Sequence, residues 1–302
     1  MSFAASIYEH RRRGRGENPA WLSARPGLGL LLTLLLLASP GVGAGEPSLL
    51  AVSLVAHRGL TQAAPENSLA ALAAAWQAGL AGAEVDVRTS ADGVLLLLHD
   101  ATLERTTTGA GAVKEKSWAD LAGLRLKNGS GETGREGLPR LAEVLAWAGR
   151  HPGFRLFLDL KDCEPQAVGR LVRQSSLGQR VDLYVGGTER AAWIRVIKAL
   201  DPRLRVSLDL GWWWRVEGVA AFAVQGTGVD ALVAASWQFP ARGLGEARQA
   251  GAEVQVYLWG NEDLPDRLRA VAAQGAQVVS CDYPLELLPL VAPPPGRGEG
   301  EE

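Results

Sequence analysis

VAHRGLTQAAPENSLAALAAAWQAGLAGAEVDVRTSADGVLLLLHDATLERTTTGAGAV, residues 55–113, alternates short apolar runs with helical or polar segments. The first run ends at His57-Arg58-Gly59. Pro65-Glu66-Asn67-Ser68 then leads into an Ala/Leu-rich segment, and Ala83-Glu84-Val85-Asp86-Val87 follows. Four leucines run into His99-Asp100. Two histidines and two carboxylates thus lie within or at the ends of runs that read as buried strands. A strand covered on both faces is expected to be apolar throughout. Charges placed there are costly unless they are paired or bind a metal.

Glu84 and Asp86 are two positions apart, so on a strand both point to one face. Side by side, they require either a shared proton or a cation between them. An all-oxygen ligand set suits a hard ion such as Ca2+ or Mg2+ rather than zinc. His57 and His99 can each titrate near neutral pH. A metal, two imidazoles and Arg58 make a set able to split a phosphodiester. The metal and Arg58 hold charged oxygens, one imidazole activates the nucleophile, and the other protonates the leaving alcohol.

Beyond this stretch the same alternation continues. Strands are expected at 50–56, 83–88, 94–98, 155–160, 181–185, 205–210, 231–234, 253–258 and 277–280. Helices are expected at 69–78, 141–148, 165–174, 189–200, 241–250 and 264–274. Repeated βα units imply a parallel sheet. This many in one domain, with charge at strand ends, predicts a single-domain α/β fold of the (β/α)8 TIM-barrel type. Nine strand candidates are one too many. Either 94–98 is an irregular addition at the start of the barrel, or one later segment is not a barrel strand.

Asp159-Leu160-Lys161 repeats the same-face spacing. It adds a third carboxylate and a cation suited to phosphate oxygens. Residues 123–137, GLRLKNGSGETGREG, read as a Gly-rich polar loop. Trp212-Trp213-Trp214 read either as packing under a loop, or as a groove wall or membrane contact. His10 and His151 have no such setting and are taken as surface residues. Asn67-Ser68 reads as the cap of the helix at 69–78, and Glu66 is also suited to capping it. Arg105-Thr106-Thr107 reads as a hydrogen-bonded turn behind His99, as support for the site from behind, or as a direct contact.

The motifs HRG (57–59), PENS (65–68), E-x-D-V (84–87), DG (92–93), HD (99–100) and L-x-R-T-T-x-G-x-G-x-V (103–113) occur in order. Together the chain resembles the glycerophosphodiester phosphodiesterase family over roughly residues 52–290. Weaker matches lie at LPRLAEVL (138–145), LDLK (158–161), VYLWGN (256–261) and GAQVVSCDYP (275–284). The resemblance implies the same barrel, with a small insertion near its mouth that helps select substrate. It implies hydrolysis of glycerophosphodiesters to glycerol 3-phosphate and an alcohol, with a neighbouring glycerol hydroxyl attacking first. His57 and His99 are then the catalytic pair. Glu84, Asp86 and Asp159 are the metal ligands, with Ca2+ or Mg2+ as the cation. Arg58, Lys161 and Trp259 bind substrate, and Glu66 and Asn67 support the site from behind, Glu66 by fixing His57 or Arg58. The family usually carries Glu where this chain has Asp159, one methylene shorter. A lysophospholipase D-type activity and a non-catalytic phosphodiester-binding protein are the rival readings.

The chain has 302 residues, 47% of them hydrophobic, and a net charge of -2. This suits one large domain with a full core and gives no support to nucleic-acid binding. Residues 1–46 carry Arg11-Arg12-Arg13 and Arg15, then the apolar run GLGLLLTLLLLA (27–38), then Val42-Gly43-Ala44. That order reads as a signal peptide or membrane anchor, so the expected location is exported or membrane-anchored. Residues 47–292 form the expected barrel domain, and 293–302 read as a disordered tail. Cys163 and Cys281 follow different strands and are expected to be two free, buried thiols.

Overall fold

A computed structural model describes residues 51–186, 191–210, 228–236, 248–249 and 251–293, all of them within the larger of the chain's two units, Ala44–Glu302. The expected signal or anchor segment, the tryptophan triplet, nearly all of the helix expected at 241–250, and the tail after Pro293 lie outside the described residues. No helix among the described residues is long and apolar enough to cross a membrane.

Eleven strands are described: β1 (Ser53–Ala56), β2 (Gly82–Thr89), β3 (Leu95–Leu97), β4 (Arg125–Lys127), β5 (Thr133–Gly137), β6 (Arg155–Leu160), β7 (Val181–Gly186), β8 (Arg205–Asp209), β9 (Ala231–Ala235), β10 (Glu253–Leu258) and β11 (Val278–Cys281). Eight of them, β1, β2 and β6 to β11, pair in parallel in that order. Strand β1 pairs with both β11 and β2, which closes the ring. The ninth candidate is resolved as β3, which pairs antiparallel with β2 outside the ring. The turn Ala91-Asp92-Gly93 is too short for the crossover that a parallel partner needs.

Strand alternation sorts the core into two sets. Val55, Phe157, Tyr184, Val233, Tyr257 and Val278 form one cluster. Their neighbours one position away, such as Leu54, Ala56, Leu156, Leu158, Leu183, Val185, Leu232 and Val256, join the helices in a second cluster. This is the inside and outside of a barrel whose strands are covered on both faces. Near the strand starts, Arg155 pairs with Asp182 and Glu253, and Arg205 with the same two acids. Charges at the starts of the strands are thereby neutralised, well away from their C-terminal ends.

Helices α1 (Leu69–Gln77), α2 (Trp118–Leu121), α3 (Leu141–Gly149), α4 (Pro165–Gln174), α5 (Ala191–Leu200) and α6 (Leu264–Ala273) are described. Ser68 caps α1 by accepting from the Ala71 N–H, and Gly79 at φ +86° stops the chain beyond it. The Asn/Ser cap expected here is thus Ser68, and Glu66 does not cap the helix.

Residues 123–137 are not an irregular loop. Strands β4 and β5 make a two-stranded hairpin within them. The loop reading missed Leu126, fully buried in a small cluster with Leu96, Leu98, Leu103, Val113, Leu121 and Leu138. One apolar residue among polar ones is enough to pin a short hairpin when a separate patch of core lies beneath it. His151 also differs from expectation. It is half-buried, stacked on Trp147 at 3.9 Å between ring centroids, with Trp76 packed edge-on. Trp147, one helical turn back, and Trp76, from a separate helix that its local sequence does not show, together bury it. Cys163 and Cys281 are both free and buried. Burial pushes the Cys281 thiol up to about 12, so it is protonated and unreactive at neutral pH.

Candidate active site

The C-terminal ends of the barrel strands carry the charged residues that the apolar pattern left unexplained. Glu84 and Asp86 lie on β2, and register places Asp159 of β6 beside Asp86. The three carboxylates offer oxygens that all lie within 4.8 Å of one another. Glu84 and Asp86 are each 1% exposed. Burial, with Asp86 and Asp159 close by, pushes the Glu84 carboxyl well above the usual range. Burial also works against ionised Asp86, but Lys161, His99 and Arg58, with a hydrogen bond from Asn67, hold its carboxyl below the usual range. The shorter side chain of Asp159 thus still reaches the cluster. Three convergent carboxylates, one disfavoured as an anion by burial and by its neighbours, fit a hard divalent cation in chemistry and spacing.

Lys161 spans two of the acids, with Nζ 3.1 Å from Asp86 Oδ1 and bonded to Asp159 Oδ2. Burial works against its charge, but Asp159, Asp86 and Glu84 outweigh this and hold the ammonium well above its ordinary value. Asn67 grips Asp86 twice: its amide donates to Oδ2 at 2.8 Å, and its carbonyl accepts from the Asp86 N–H at 2.9 Å. Asn67 has φ +57°, a conformation Asn tolerates better than most residues. Arg58 is likewise at φ +58°, and its N–H donates to Glu84 Oε2 at 3.0 Å. Its guanidinium lies 3.5 Å from Asp86 and donates to Glu66 at 3.2 Å. Glu66 therefore fixes Arg58; its other partner is Arg105.

His57 follows β1 directly and is 8% exposed. Its Nδ1 meets Asp282 Oδ1 at 2.7 Å, and its Nε2 lies 3.7 Å from Glu84. Burial works against the Asp282 anion, but the bond to His57 outweighs it, so the carboxyl sits below its usual range. An ionised Asp282 accepts, so Nδ1 carries the proton and Nε2 is left for chemistry. Trp259 packs edge-on to the imidazole at 4.9 Å and Tyr257 at 5.9 Å.

His99 is built the same way, with Nδ1 2.7 Å from Asp100 Oδ1. Arg88 donates twice to the His99 carbonyl, at 3.0 and 2.7 Å, which fixes the backbone beneath it. Burial pulls the His99 imidazole below its ordinary value, against the pull of Asp86. His57, Arg58, His99, Asp159, Lys161, Tyr257 and Trp259 then line one cavity of about 110 Å³, joined by Asp209 and Ala235.

All ten residues singled out in the sequence fall in or directly behind this cavity. Two that reasoning passed over belong with them: Asp282, the partner of His57, and Asp209 on the cavity wall. The signal for both was available. Each carboxylate sits at the end of an apolar strand, Asp209 in β8 and Asp282 just after β11, which is the feature that drew attention to His57 and His99. His10 is outside the described residues.

The model of the Glycerophosphoryl diester phosphodiesterase family matches residues 57–285. Glycerophosphodiester phosphodiesterase 1 of Bos taurus is 38% identical over 116 residues, covering 36% of this chain and 34% of that protein. The chain thus spans about a third of the length of that relative. The glycerophosphodiester phosphodiesterase of Caldanaerobacter subterraneus is 39% identical over 160 residues, covering 51% of this chain and 65% of that protein. A crystal structure of glycerophosphodiester phosphodiesterase from Agrobacterium tumefaciens aligns with a TM-score of 0.64 at 28% identity, over 76% of this chain and 96% of that one. An Oleispira antarctica phosphodiesterase, solved in complex with the product sn-glycerol-3-phosphate, shares the fold with a TM-score of 0.66 at 24% identity, over 79% of this chain and 96% of that one.

Proposed function

The chain belongs to the glycerophosphodiester phosphodiesterase family, and on that premise we propose that it hydrolyses glycerophosphodiesters to glycerol 3-phosphate and an alcohol. The observation that carries the reading is the pairing of the two imidazoles. Each is held through Nδ1 by a carboxylate, and both line the cavity that also contains Arg58 and Lys161.

In this reading Arg58 and Lys161 hold the phosphate oxygens, and the aromatic wall of Tyr257 and Trp259 packs beside the organic part of the substrate. One imidazole takes the proton of the attacking glycerol hydroxyl at Nε2, and the other gives a proton to the oxygen of the departing alcohol; with the roles reversed, water then opens the resulting cyclic phosphate to glycerol 3-phosphate. Asp282 and Asp100 keep each ring in the tautomer with Nδ1–H and stabilise it when it becomes imidazolium. Glu84, Asp86 and Asp159 would hold the divalent cation, Ca2+ or Mg2+, whose charge would offset that of the phosphate in the transition state. The product found in the Oleispira protein supports glycerol 3-phosphate as the product here. The N-terminal run at 27–38 is read as an export signal or anchor, testable by sequencing the N-terminus of the mature protein.

The test is release of glycerol 3-phosphate from glycerophosphocholine by the full chain, in EDTA and then with Ca2+ or Mg2+ restored. Turnover that disappears in EDTA and returns with the ion is expected. Replacing His57 or His99 by Ala is expected to cost roughly 100- to 10,000-fold in kcat. Turnover indifferent to EDTA would remove the metal from the reading. Silence on water-soluble diesters with cleavage of lysolipids would move the assignment to the lysophospholipase D type. Binding without turnover on either would make the chain a phosphodiester-binding protein.

A further inference from the structure

Arg105 is not part of the cavity, yet it joins the two halves of the site. Its guanidinium reaches Asp100 through Nε at 2.6 Å and Nη2 at 2.9 Å. The same group reaches Glu66 through Nη1 at 2.8 Å and Nη2 at 2.9 Å. Asp100 is the carboxylate on His99, and Glu66 the carboxylate on Arg58. One side chain therefore closes a continuous path, His99–Asp100–Arg105–Glu66–Arg58, between the loop after β3 and the loop after β1.

We propose that Arg105 is a positioning residue that sets His99 and Arg58 relative to one another by holding Asp100 and Glu66 at the same time. The proposal rests on the phosphodiesterase reading given above. Arg is the side chain suited to this, because its planar fork makes two parallel bonds to each of two carboxylates, which an ammonium cannot do. Its side chain is 47% exposed, and exposed ion pairs contribute little to stability. Positioning, rather than folding, is what such a bridge supplies.

The loop that carries Arg105 is itself fastened down. Thr107 bonds back to the Leu103 carbonyl through its hydroxyl at 2.7 Å and its N–H at 3.0 Å. The β4–β5 hairpin holds the other side: Lys127 N–H donates to Thr106 O, Thr108 N–H donates to Arg125 O, and Lys127 Nζ donates to Glu104 O. The insertion thereby acts on the site through the Arg105 loop. Arg105 also holds the Asp100 carboxyl far below its usual range, so Asp100 is an acceptor for His99 across the whole working pH range.

The two arms separate in their consequences. Without Arg105, Asp100 loses the cation that orients it, and the His99 ring loses its fixed partner; this lowers kcat. Glu66 is then free to take Arg58 in a two-bond pair and draw it from the phosphate; this raises KM. Asp100→Asn is expected to reproduce mainly the kcat defect. Glu66→Gln, which releases Arg58 from its ion pair instead of drawing it away, is expected to move mainly KM, and Arg105→Ala to lower kcat and raise KM. A kcat loss of about 10- to 100-fold is expected for Arg105→Ala. Arg105→Lys is expected to recover only part of it.

The experiment measures kcat and KM on glycerophosphocholine for these four variants, melting temperature for each, and the 1H–15N signals of the four histidines in wild type and Arg105→Ala. The expected result is a split of kcat and KM as described, an unchanged melting temperature, and a His99 ring that is a single tautomer in wild type and a mixture in Arg105→Ala. Wild-type kinetics in Arg105→Ala, or loss of activity that follows melting temperature with kcat and KM of the folded fraction unchanged, would overturn the proposal. An unchanged His99 tautomer would overturn it as well. If wild type cleaves no diester but the tautomer still becomes mixed, the positioning inference stands and the proposed substrate falls.

Discussion

His57 and Asp282 are 225 positions apart in the chain and meet at 2.7 Å. Closure of the ring between β1 and β11 brings them together, because His57 follows the first strand and Asp282 the last. The backbone repeats the arrangement, with His57 N–H donating to Cys281 O at 3.1 Å. Asp282→Asn keeps the size of the side chain but permits the amide to donate, so the imidazole is no longer held with its proton on Nδ1. A loss of about 10- to 100-fold in kcat is expected, with KM little changed. Steady-state kinetics on glycerophosphocholine checks this, and full activity in Asp282→Asn would show that closure of the barrel does not orient His57.

His99 is expected to titrate below the ordinary histidine value of about 6.5, because burial disfavours its charged form. For a base whose folded value lies below its unfolded one, the unfolded chain binds the proton first. Stability is therefore complete above about pH 6.5 and falls as pH drops toward the folded value. His99→Gln removes this dependence. Melting temperatures of the two proteins between pH 5 and 8 are expected to diverge on the acid side, with wild type losing more. A His99 ring signal in NMR titrating above 6.5 would contradict the assignment.

Gly59 sets the turn after the first catalytic candidate. It sits at φ +79°, and a Cβ there would lie 2.7 Å from the Cβ of Ala71 in α1. Gly59→Ala thus meets both a strained backbone and a steric overlap with a helix that Ser68 holds in place. A destabilisation of about 2–4 kcal/mol is expected from strain plus overpacking. Urea denaturation measures it. A variant as stable as wild type would mean that α1 yields at little cost.

Asp182 is fully buried and accepts from Arg155 at 2.8 Å, Arg205 at 3.0 Å and Ser207 at 3.2 Å. Removing one partner of a buried pair leaves charge uncompensated, at a cost of about 3–5 kcal/mol. Asp182→Ala is expected to show this loss in denaturation. Its kcat at a temperature where it remains folded is expected to match wild type, because the cluster lies at the starts of the strands and the cavity at their ends. A kcat defect without a stability defect would show that the two ends of the barrel communicate.

The barrel was legible because its signals are local. Apolar runs such as 155–160 and 253–258 recur between helical segments, and each needs only its own composition to be recognised. The same holds for the site residues that sit at run ends: His57, His99, Glu84, Asp86 and Asp159 stood out as charges where apolar residues were expected. Asp209 carries the same mark but has no motif beside it, and Asp282, although inside the GAQVVSCDYP match, gains its role only from His57, which ring closure brings to it. The β4–β5 hairpin was missed because Gly, Ser and Glu dominate its composition, and only burial of Leu126 against a separate small core makes it a hairpin. His151 was misplaced because Trp76 packs on it from a separate helix, which local pattern does not bring near it; Trp147, one helical turn back, was within reach of local pattern.

The residue order alone determined the alternating architecture, the same-face placement of Glu84 with Asp86, and the set of groups available for phosphodiester chemistry, because these depend on periods of two and three to four residues. Tertiary structure decided the rest: that register sets Asp159 beside Asp86, that closure carries Asp282 to His57, and that Arg105 bridges Asp100 and Glu66. Such pairings depend on strand register and loop path over tens to hundreds of residues. A one-residue slip would turn every side chain of a strand to the opposite face, so these contacts exist only once the whole ring has closed.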